Sequence, residues 1–450
     1  MQGVLTVVAR AGAVLLAFLC GCACANTCRV TTSGSAANDG STWPVPMDLQ
    51  TALGNPACTE VWVAAGAYKP TSDTNRLVYF HVQAGVAVYG GFAGGETQRT
   101  QRNPGLNVTT LSGDIGVAGV RTDNSNTIVK MIASAGATIT ASTVLDGFTI
   151  SDAYYGGNGG GLYCNGSGAG NECSPTLANL VFNNDAAVYG GAIYNDGHNG
   201  GVSNPTLTNI TFNGNVSVND GGAVYNDGSN GTSNPVLNGV TFSGNSTDGG
   251  DGGAMYDQAN SGPALNNVTF SGNGGDTTVF GAPHHTFLGG AIYTRTGGAP
   301  TLNNVTFSGN SANDGGAIYI TGAVSLQMSN VVLWGDLVLA GGTQAEILNN
   351  LGTVTITSSV VQGGGPAGCT CIGVIDSDPL LGPLKDNGGP TQTMLPTSGG
   401  SAIDGGYNPT CAPKDQRGVP RPQGANCDVG AVEVVLDRIF ADNLDGRPTP

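Results

Sequence analysis

Positive charge is scarce in this chain. Of its 450 residues, 15 are Lys or Arg and 31 are Asp or Glu, which gives a formal net charge of −16. Proteins that bind nucleic acid or an anionic membrane surface need basic patches, so the composition argues against both kinds of partner. The acidity is explained by the solubility of an extracellular protein, with calcium bound at Asp-rich turns as the alternative.

Apolar runs long enough to span a membrane are lacking as well. Residues 1–25 have Arg10 as their only charge, an apolar core over 11–19 and a small-residue motif over 23–25. This pattern predicts a cleaved export signal, because the apolar core is too short for a membrane span. Lipidation at Cys22 is the alternative. Either way, we expect an exported protein that is extracellular or associated with the outer membrane and cell surface.

Three of the 11 cysteines lie in residues 1–25, and eight remain. An even number in an exported chain predicts an oxidising compartment and up to four disulfides. Cys369 and Cys371 are separated by one residue, where a bridge is strained, so zinc ligation or pairing with other cysteines stays open. The local pairs that could close turns are Cys28–Cys58, Cys164–Cys173 and Cys411–Cys427.

Glycine is abundant, at 75 residues, and one unit recurs five times between Pro175 and Ala323. Each copy opens with Pro, has Leu two residues later and Phe five residues after that. Asn or Asp follows the Phe by three residues, and the copy ends on Gly-Gly-Ala, an apolar residue and Tyr. Such regular recurrence is typical of a repeat architecture. The opening residues are Pro175, Pro205, Pro235, Pro263 and Pro300.

The residues inside each copy predict short strands, because no helical apolar stripe occurs. Leu207 and Ile210 can face one core only if the chain bends between them. The residue at the bend is always Asn or Gly, which adopt the left-handed backbone region at little cost. The Asx residue after each Phe and the Gly-Gly pair are expected to form further corners. The bend residues are Asn179, Asn209, Gly239, Asn267 and Asn304, and the Asx residues are Asp185, Asn215, Asn245, Asn273 and Asn310.

One turn of a parallel β-helix per copy, with about ten to twelve turns in all, accounts for this pattern. The Phe-x-x-Asn and Gly-Gly-Ala-Ile elements resemble the repeat of the polymorphic outer-membrane proteins and their pectin-lyase-like relatives. The resemblance implies an all-β fold, a single-stranded right-handed parallel β-helix. It implies no activity, since the repeated positions encode a core.

The flanking regions predict a cap and a C-terminal module. Residues 26–130 contain a short helix candidate and a strand ending in Ala-Gly-x-Tyr, which resembles the first coils of secreted bacterial β-helix proteins. Residues 131–377 hold the helix repeats. Residues 378–437 resemble the choice-of-anchor module that follows β-helices in exported bacterial proteins, and residues 438–450 are a tail. The resemblance of the module implies surface display.

Recognisable catalytic constellations are missing. Lyases that cleave uronic-acid polymers need a cation and a base, yet Arg295 is the only Lys or Arg between Met131 and Leu384. Hydrolases need two carboxyl groups, but most Asp residues sit beside Gly or Asn, where turn formation explains them. His198, in a loop between copies, is expected to be solvated. The Asp candidates are Asp196, Asp220, Asp227, Asp248, Asp251, Asp257 and Asp314.

An insertion in the fourth copy, residues 276–288, is the candidate binding site. Insertions in solenoids emerge as loops on one face, which is often the binding face. A loop that packs its own aromatic rings against the helix is the alternative. The candidate residues are Phe280, His284, His285, Phe287 and Arg295, which together could bind a sugar or a metal.

These observations favour a scaffold without catalysis. We expect a monomeric, adhesin-like β-helix that presents a neutral-to-acidic lateral face to a glycan or to a protein of a host or neighbouring surface. No cofactor is expected, with calcium as the alternative. The alternatives are a polysaccharide-active enzyme on a neutral glycan, a hydrolase rather than a lyase, and a structural stalk without a ligand.

Overall fold

The computed structural model describes residues 26–275, 287–339 and 346–435, and within them the chain is a parallel β-solenoid of about 11 turns. Each strand pairs in parallel with its counterparts one turn before and one turn after. The predicted all-β parallel β-helix is therefore confirmed. The predicted export signal and the tail 438–450 lie outside the described residues.

Sheet 1 takes two strand segments from most turns, joined at a corner, and in three turns the two segments form one continuous eight-residue strand. Leu207 and Ile210, on either side of Asn209, are both buried. The five predicted bend residues have φ of 49°, 56°, 67°, 52° and 52°, so the left-handed corner is confirmed. In the described ranges sheet 1 has 19 strands: Thr27–Val30, Glu60–Ala64, Gly66–Tyr68, Ala87–Phe92, Thr109–Ser112, Val144–Asp146, Thr149–Ser151, Thr176–Ala178, Val181–Asn183, Thr206–Thr208, Thr211–Asn213, Val236–Ser243, Ala264–Ser271, Thr301–Ser308, Ser325–Ser329, Val332–Leu333, Thr353–Thr357, Val360–Val361 and Thr370–Ile372.

Sheet 2 takes one strand from each turn, and in the five repeats this strand follows the Gly-Gly-Ala motif. The first Gly of each pair makes the predicted corner, as Gly221 does with φ of 67°. Because side chains alternate along a strand, Val224 and Asn226 face the interior while Tyr225 and Asp227 face outward. The nine strands of sheet 2 among the described residues are Phe80–His81, Val129–Ile132, Leu162–Asn165, Ile193–Asp196, Val224–Asp227, Met255–Asp257, Ile292–Thr294, Ile318–Thr321 and Ile347–Asn350.

Each strand of sheet 3 in the repeats begins directly after the Asx residue. The prediction that the Asx residue itself forms a corner is wrong. The positive φ belongs to the preceding residue, such as Gly214 with φ of 60°, while Asn215 is fully buried. The backbone amide of Asn215 donates to Asn245 Oδ1 at 3.0 Å, and Asn215 Nδ2 donates to the same oxygen at 2.9 Å. The Asx side chains therefore form an interior ladder between turns. The six described strands are Ala186–Ala187, Val216–Ser217, Ser246–Thr247, Gly274–Gly275, Ser311–Ala312 and Leu337–Val338.

Aromatic side chains stack in two columns along the solenoid axis. The interior rings from Phe182 to Phe307 have centroids 4.6–5.2 Å apart. On the outer face of sheet 2, the rings from Tyr194 to Tyr319 have centroids 4.9–5.2 Å apart. Both spacings match the separation of adjacent strands, so successive turns are in register.

Helical structure is confined to short segments among the described residues. The helix Leu49–Gly54 packs against the first strands of the solenoid, with Asp48 Oδ1 accepting a hydrogen bond from its Thr51 amide at 2.9 Å. Short 3₁₀ helices span Arg99–Gln101, Arg121–Asp123 and Asn408–Thr410. Within the described ranges no helix is long and apolar enough to cross a membrane.

The eight cysteines outside residues 1–25 form four disulfides. The three predicted local pairs, Cys28–Cys58, Cys164–Cys173 and Cys411–Cys427, are confirmed. Cys369 and Cys371 are bonded to each other, so the alternatives of zinc ligation and of pairing with other cysteines do not hold.

Candidate functional site

The predicted insertion site lies only partly within the described residues, because Phe280, His284 and His285 fall outside them. Phe287 is 4% exposed, and its backbone amide donates to Asn313 Oδ1 at 2.9 Å. Its ring lies against Gly275, where an added Cβ would be 2.5 Å from ring carbons. Phe287 thus packs on the solenoid.

Arg295, the remaining candidate, lies beside stacked tyrosines and two carboxyl groups. Its Nη1 donates to Tyr256 Oη at 3.5 Å. Asp220 and Asp251 occupy equivalent positions in successive turns, and the Asp251 amide donates to Asp220 Oδ1 at 2.9 Å. Burial raises the pKa of Asp251 to about 7, the charge of Asp220 adds to this shift, and Arg295 opposes it. Asp251 can therefore hold a proton near neutral pH, as a general acid must.

His198 lies in the turn after the strand Ile193–Asp196 of sheet 2, as predicted, but its side chain is only partly exposed. Its side chain is 36% exposed, and Nδ1 lies within hydrogen-bond distance of Asp196 Oδ1. Tyr163 Oη donates to Asp196 Oδ2 at 2.6 Å, and Tyr194 Oη donates to Asp227 Oδ2 at 2.9 Å. The prediction of a loop position is therefore confirmed, but the ring is not free in solvent, because the strand directs Asp196 outward next to it.

The outer face of sheet 1 is partly covered by two segments. At the N-terminal side, the loop 93–108 is held by Arg102, whose Nη2 donates to Asp146 Oδ2 at 2.5 Å. At the other side, residues 387–435 fold back along the repeats. There Gln416 Nε2 donates to Thr241 Oγ1 at 2.8 Å, and Gln416 Oε1 accepts from Thr269 Oγ1 at 2.7 Å.

A groove remains open between these two segments. Its first part is a cavity of about 690 Å³, within the range of small-molecule sites. Asn209 Nδ2 donates to Asn179 Oδ1 at 3.1 Å, and Asn179 Nδ2 donates to Asp146 Oδ1 at 2.8 Å. The floor thus carries a row of amides along the axis. Other lining residues include Arg99, Pro104, Thr149, Val181, Thr211 and Pro390.

A second cavity of about 820 Å³ adjoins the first and shares Asn209 and Pro390 with it. A column of three amides lines it, from Asn238, Asn266 and Asn303 in successive turns. The side-chain oxygen of Asn303 has no hydrogen-bond partner among the described residues. From Gly147 to Asn303 the two cavities span six turns, about 24 Å at the usual strand separation. We call this combined feature the amide groove.

The corner Asn residues on the outer face of sheet 1 fall into two groups, one exposed in the groove and one bonded to the C-terminal segment. Asn179 and Asn209 face the open part of the amide groove, whereas Asn267 Nδ2 donates to the Lys414 carbonyl at 2.9 Å. Asn304 Nδ2 donates to the Gly430 carbonyl at 3.3 Å. Sequence reasoning missed the groove because its walls come from residues more than 100 positions apart, and no local pattern records where residues 387–435 return.

Comparison with known proteins identifies the repeat. A sequence model of the Chlamydia polymorphic membrane protein (Chlamydia_PMP) repeat matches residues 209–227 and 304–321. Among solved structures, the crystal structure of pectate lyase Pel9A aligns at 14% identity and a TM-score of 0.47, covering 90% of this chain and 96% of that chain. Comparison with curated proteins finds no match. The matched repeats and the four disulfides indicate an exported or surface protein. The chain is a parallel β-helix with repeats of the polymorphic-membrane-protein type.

Proposed function

We propose that the protein is an adhesin-like scaffold, displayed on the cell surface, that binds an extended glycan in the amide groove. The observation that carries the proposal is the row of amide side chains on the groove floor, open for six turns between two walls. Amides donate and accept at once, which suits a polymer whose repeating groups are hydroxyls. A length of about 24 Å fits an extended chain better than a single small molecule.

The strands of the groove favour a glycan over a peptide. The strands Val144–Asp146 and Thr176–Ala178 are hydrogen-bonded to neighbours on both sides, so a peptide cannot join sheet 1 as a further strand. Recognition must therefore use side chains. Four cations line the groove, and three of them are paired with carboxylates: Arg99 with Glu60, Arg102 with Asp146 and Arg417 with Asp415, while the side chain of Lys414 is exposed. So little unpaired positive charge beside so many amides suits a neutral or sparsely charged glycan.

Binding to a glycan array, followed by calorimetry with the best ligand, tests the proposal. The variant Asn238→Ala/Asn266→Ala/Asn303→Ala should bind at least tenfold more weakly, since three hydrogen bonds of about 0.5–1.5 kcal/mol each are removed. None of these three residues occupies a left-handed corner. Asn213→Ala, an exposed amide of sheet 1 outside the groove, is the matched control and should bind as the parent does.

Three results would overturn this function. If the triple variant and the parent bind the glycan with equal affinity, the binding site does not lie in the amide groove. Release of reducing ends from the bound glycan, lost in Asp251→Asn, would make the protein a hydrolase that uses the carboxyl group beside Arg295. If the protein binds no glycan at all, the alternative of a structural stalk without a ligand is favoured.

A further inference from the structure

A second ligand site lies on the outer face of sheet 2, away from the amide groove. Two carboxylates and one imidazole meet there, from Asp196, His198 and Asp227. Asp196 and Asp227 are direct neighbours in the register of adjacent strands, and each precedes a tight turn. In the turn after Asp227, Ser229 occupies the position that His198 holds after Asp196. His198 is thus a departure from the repeat, and the fold does not require it.

The geometry of the three side chains suits a metal ion. One ligand atom from each residue lies within 4.8 Å of the other two. Bonds of about 2.0–2.2 Å to zinc place tetrahedral ligand atoms about 3.3 Å apart, so small side-chain rotations close the site.

Two tyrosines already orient the carboxylates. Tyr163 Oη donates to Asp196 Oδ2 at 2.6 Å, and Tyr194 Oη donates to Asp227 Oδ2 at 2.9 Å. Both rings are fixed in the tyrosine column, where Tyr163 meets Tyr194 edge-on at 5.6 Å. In known metal sites, hydrogen bonds of this kind hold the ligating carboxylates in the orientation that the metal requires.

The negative charge of the two neighbouring carboxylates also favours the binding of a cation. The side chain of Asp196 is 4% exposed, and like charges directly opposite in a sheet repel. Between Met131 and Leu384 the sequence contains a single Lys or Arg, Arg295, whose register places it two turns beyond Asp227, about 10 Å away. Between Met131 and Leu384 the sequence therefore provides no Lys or Arg within one turn of this pair of carboxylates to balance their charge.

We propose that Asp196, His198 and Asp227 bind a divalent transition-metal ion, with Zn²⁺ as the probe. An imidazole with two carboxylates favours such an ion, whereas Ca²⁺ takes six to eight oxygen ligands. Three protein ligands leave a coordination position for water or for a group of a ligand. The site would tie two adjacent turns together at their solvent edge.

Calorimetric titration of the metal-free protein with ZnCl₂, together with thermal melting, tests the site. The parent should bind one equivalent and melt at a higher temperature with Zn²⁺. His198→Ser, which installs the residue of the neighbouring turn, should abolish this binding while leaving the melting temperature of the metal-free protein unchanged. His81→Ala and His284→Ala/His285→Ala remove the other histidines of the chain and should bind Zn²⁺ as the parent does.

The tyrosines supply a readout that separates positioning from folding. Tyr163→Phe should weaken Zn²⁺ binding about 10- to 100-fold, since it removes only the hydrogen bond to Asp196. Unaltered binding in His198→Ser, or loss of binding in His284→Ala/His285→Ala, would overturn the assignment of ligands. Displacement of Zn²⁺ by an equal concentration of Ca²⁺ would overturn the choice of ion.

Discussion

Asparagine has two separate roles in each turn of this solenoid. At the corner of sheet 1, Asn209 adopts φ of 56° and faces outward. Six residues later, Asn215 has an ordinary φ and its amide is buried in the interior ladder. The corner role follows from backbone sterics, which favour Asn and Gly in the left-handed region. The ladder role follows from the need to pair every buried polar group.

Replacement of the corner residue separates these effects. Asn209→Val should lower the unfolding free energy by about 1–2 kcal/mol relative to Asn209→Gly, because a β-branched residue is strained at positive φ. Both variants lose the hydrogen bond to Asn179, so the comparison isolates the backbone term. Urea denaturation measures the difference. Equal loss from Val and Gly would contradict the role of backbone strain at this corner.

Each of the three sheets depends on a column of identical or complementary side chains. In sheet 2 the interior column passes from Asn195 through Asn226 to Asp257 and Thr294. Asn195 Nδ2 donates to Asn226 Oδ1 at 2.8 Å, and Asn226 Nδ2 donates to Asp257 Oδ1 at 2.8 Å. Thr294 Oγ1 donates to Asp257 Oδ2 at 3.0 Å. Asp257 is thus the one ionisable member of this column of amides and hydroxyls.

The carboxyl group of Asp257 should make stability depend on pH. Complete burial raises its pKa to about 7, from 3.8, while the hydrogen bonds from Asn226 and Thr294 oppose the shift. Because the folded-state pKa is the higher one, the contribution of this group to stability is present below about pH 4 and is lost as pH rises through about 7.

Asp257→Asn should remove this dependence. Above pH 8 the variant should have a larger unfolding free energy than the parent, by about 2–4 kcal/mol, whereas at pH 4 the two should be nearly equal. Denaturation curves at both pH values measure the difference, and other titrating groups cancel because both proteins contain them. A difference of the same size at both pH values would contradict ionisation of Asp257 as the cause.

Sequence patterns predicted the elements better than the sites that these elements build. The corner at Asn209 and the turn at Gly221 could be placed because each depends on residues next to it in the chain. The meeting of His198 with Asp227 depends on the register between turns, which the repeat length alone leaves open to a shift of one residue. The second corner was predicted one residue too late, at Asn215 instead of Gly214, because Gly and Asn are both common at corners and stand next to each other there.

At the scale of the whole molecule, the two ends of the chain shape the lateral face. The regular repeats alone would present a uniform outer surface on sheet 1, with one Asn or Gly corner per turn. The loop 93–108 and the segment 387–435 cover part of it and leave the amide groove between them. The amide groove thus interrupts the otherwise uniform outer surface of the repeats.

The anchoring of the C-terminal segment rests on Gln416, which is 3% exposed. Its amide joins Thr241 and Thr269 of two successive turns and also donates to Thr391 Oγ1 at 2.9 Å. Gln416→Ala removes all three of these hydrogen bonds, although Thr241 and Thr391 still donate to backbone carbonyls, and should lower the unfolding free energy by about 2–4 kcal/mol. Amide hydrogen exchange in residues 387–435 should accelerate, while exchange in the strands Thr206–Thr208 and Val224–Asp227 should not.

Lys414→Ala is the matched control for this anchor. The side chain of Lys414 is exposed, and the contact with Asn267 uses its backbone carbonyl, which the substitution keeps. Exchange in the segment should therefore stay at the parental rate. If Gln416→Ala also left exchange unchanged, the segment would be held by its apolar contacts instead, such as Val429 packed against Val332. Because the segment forms one wall of the amide groove, its local stability sets how rigid that groove is.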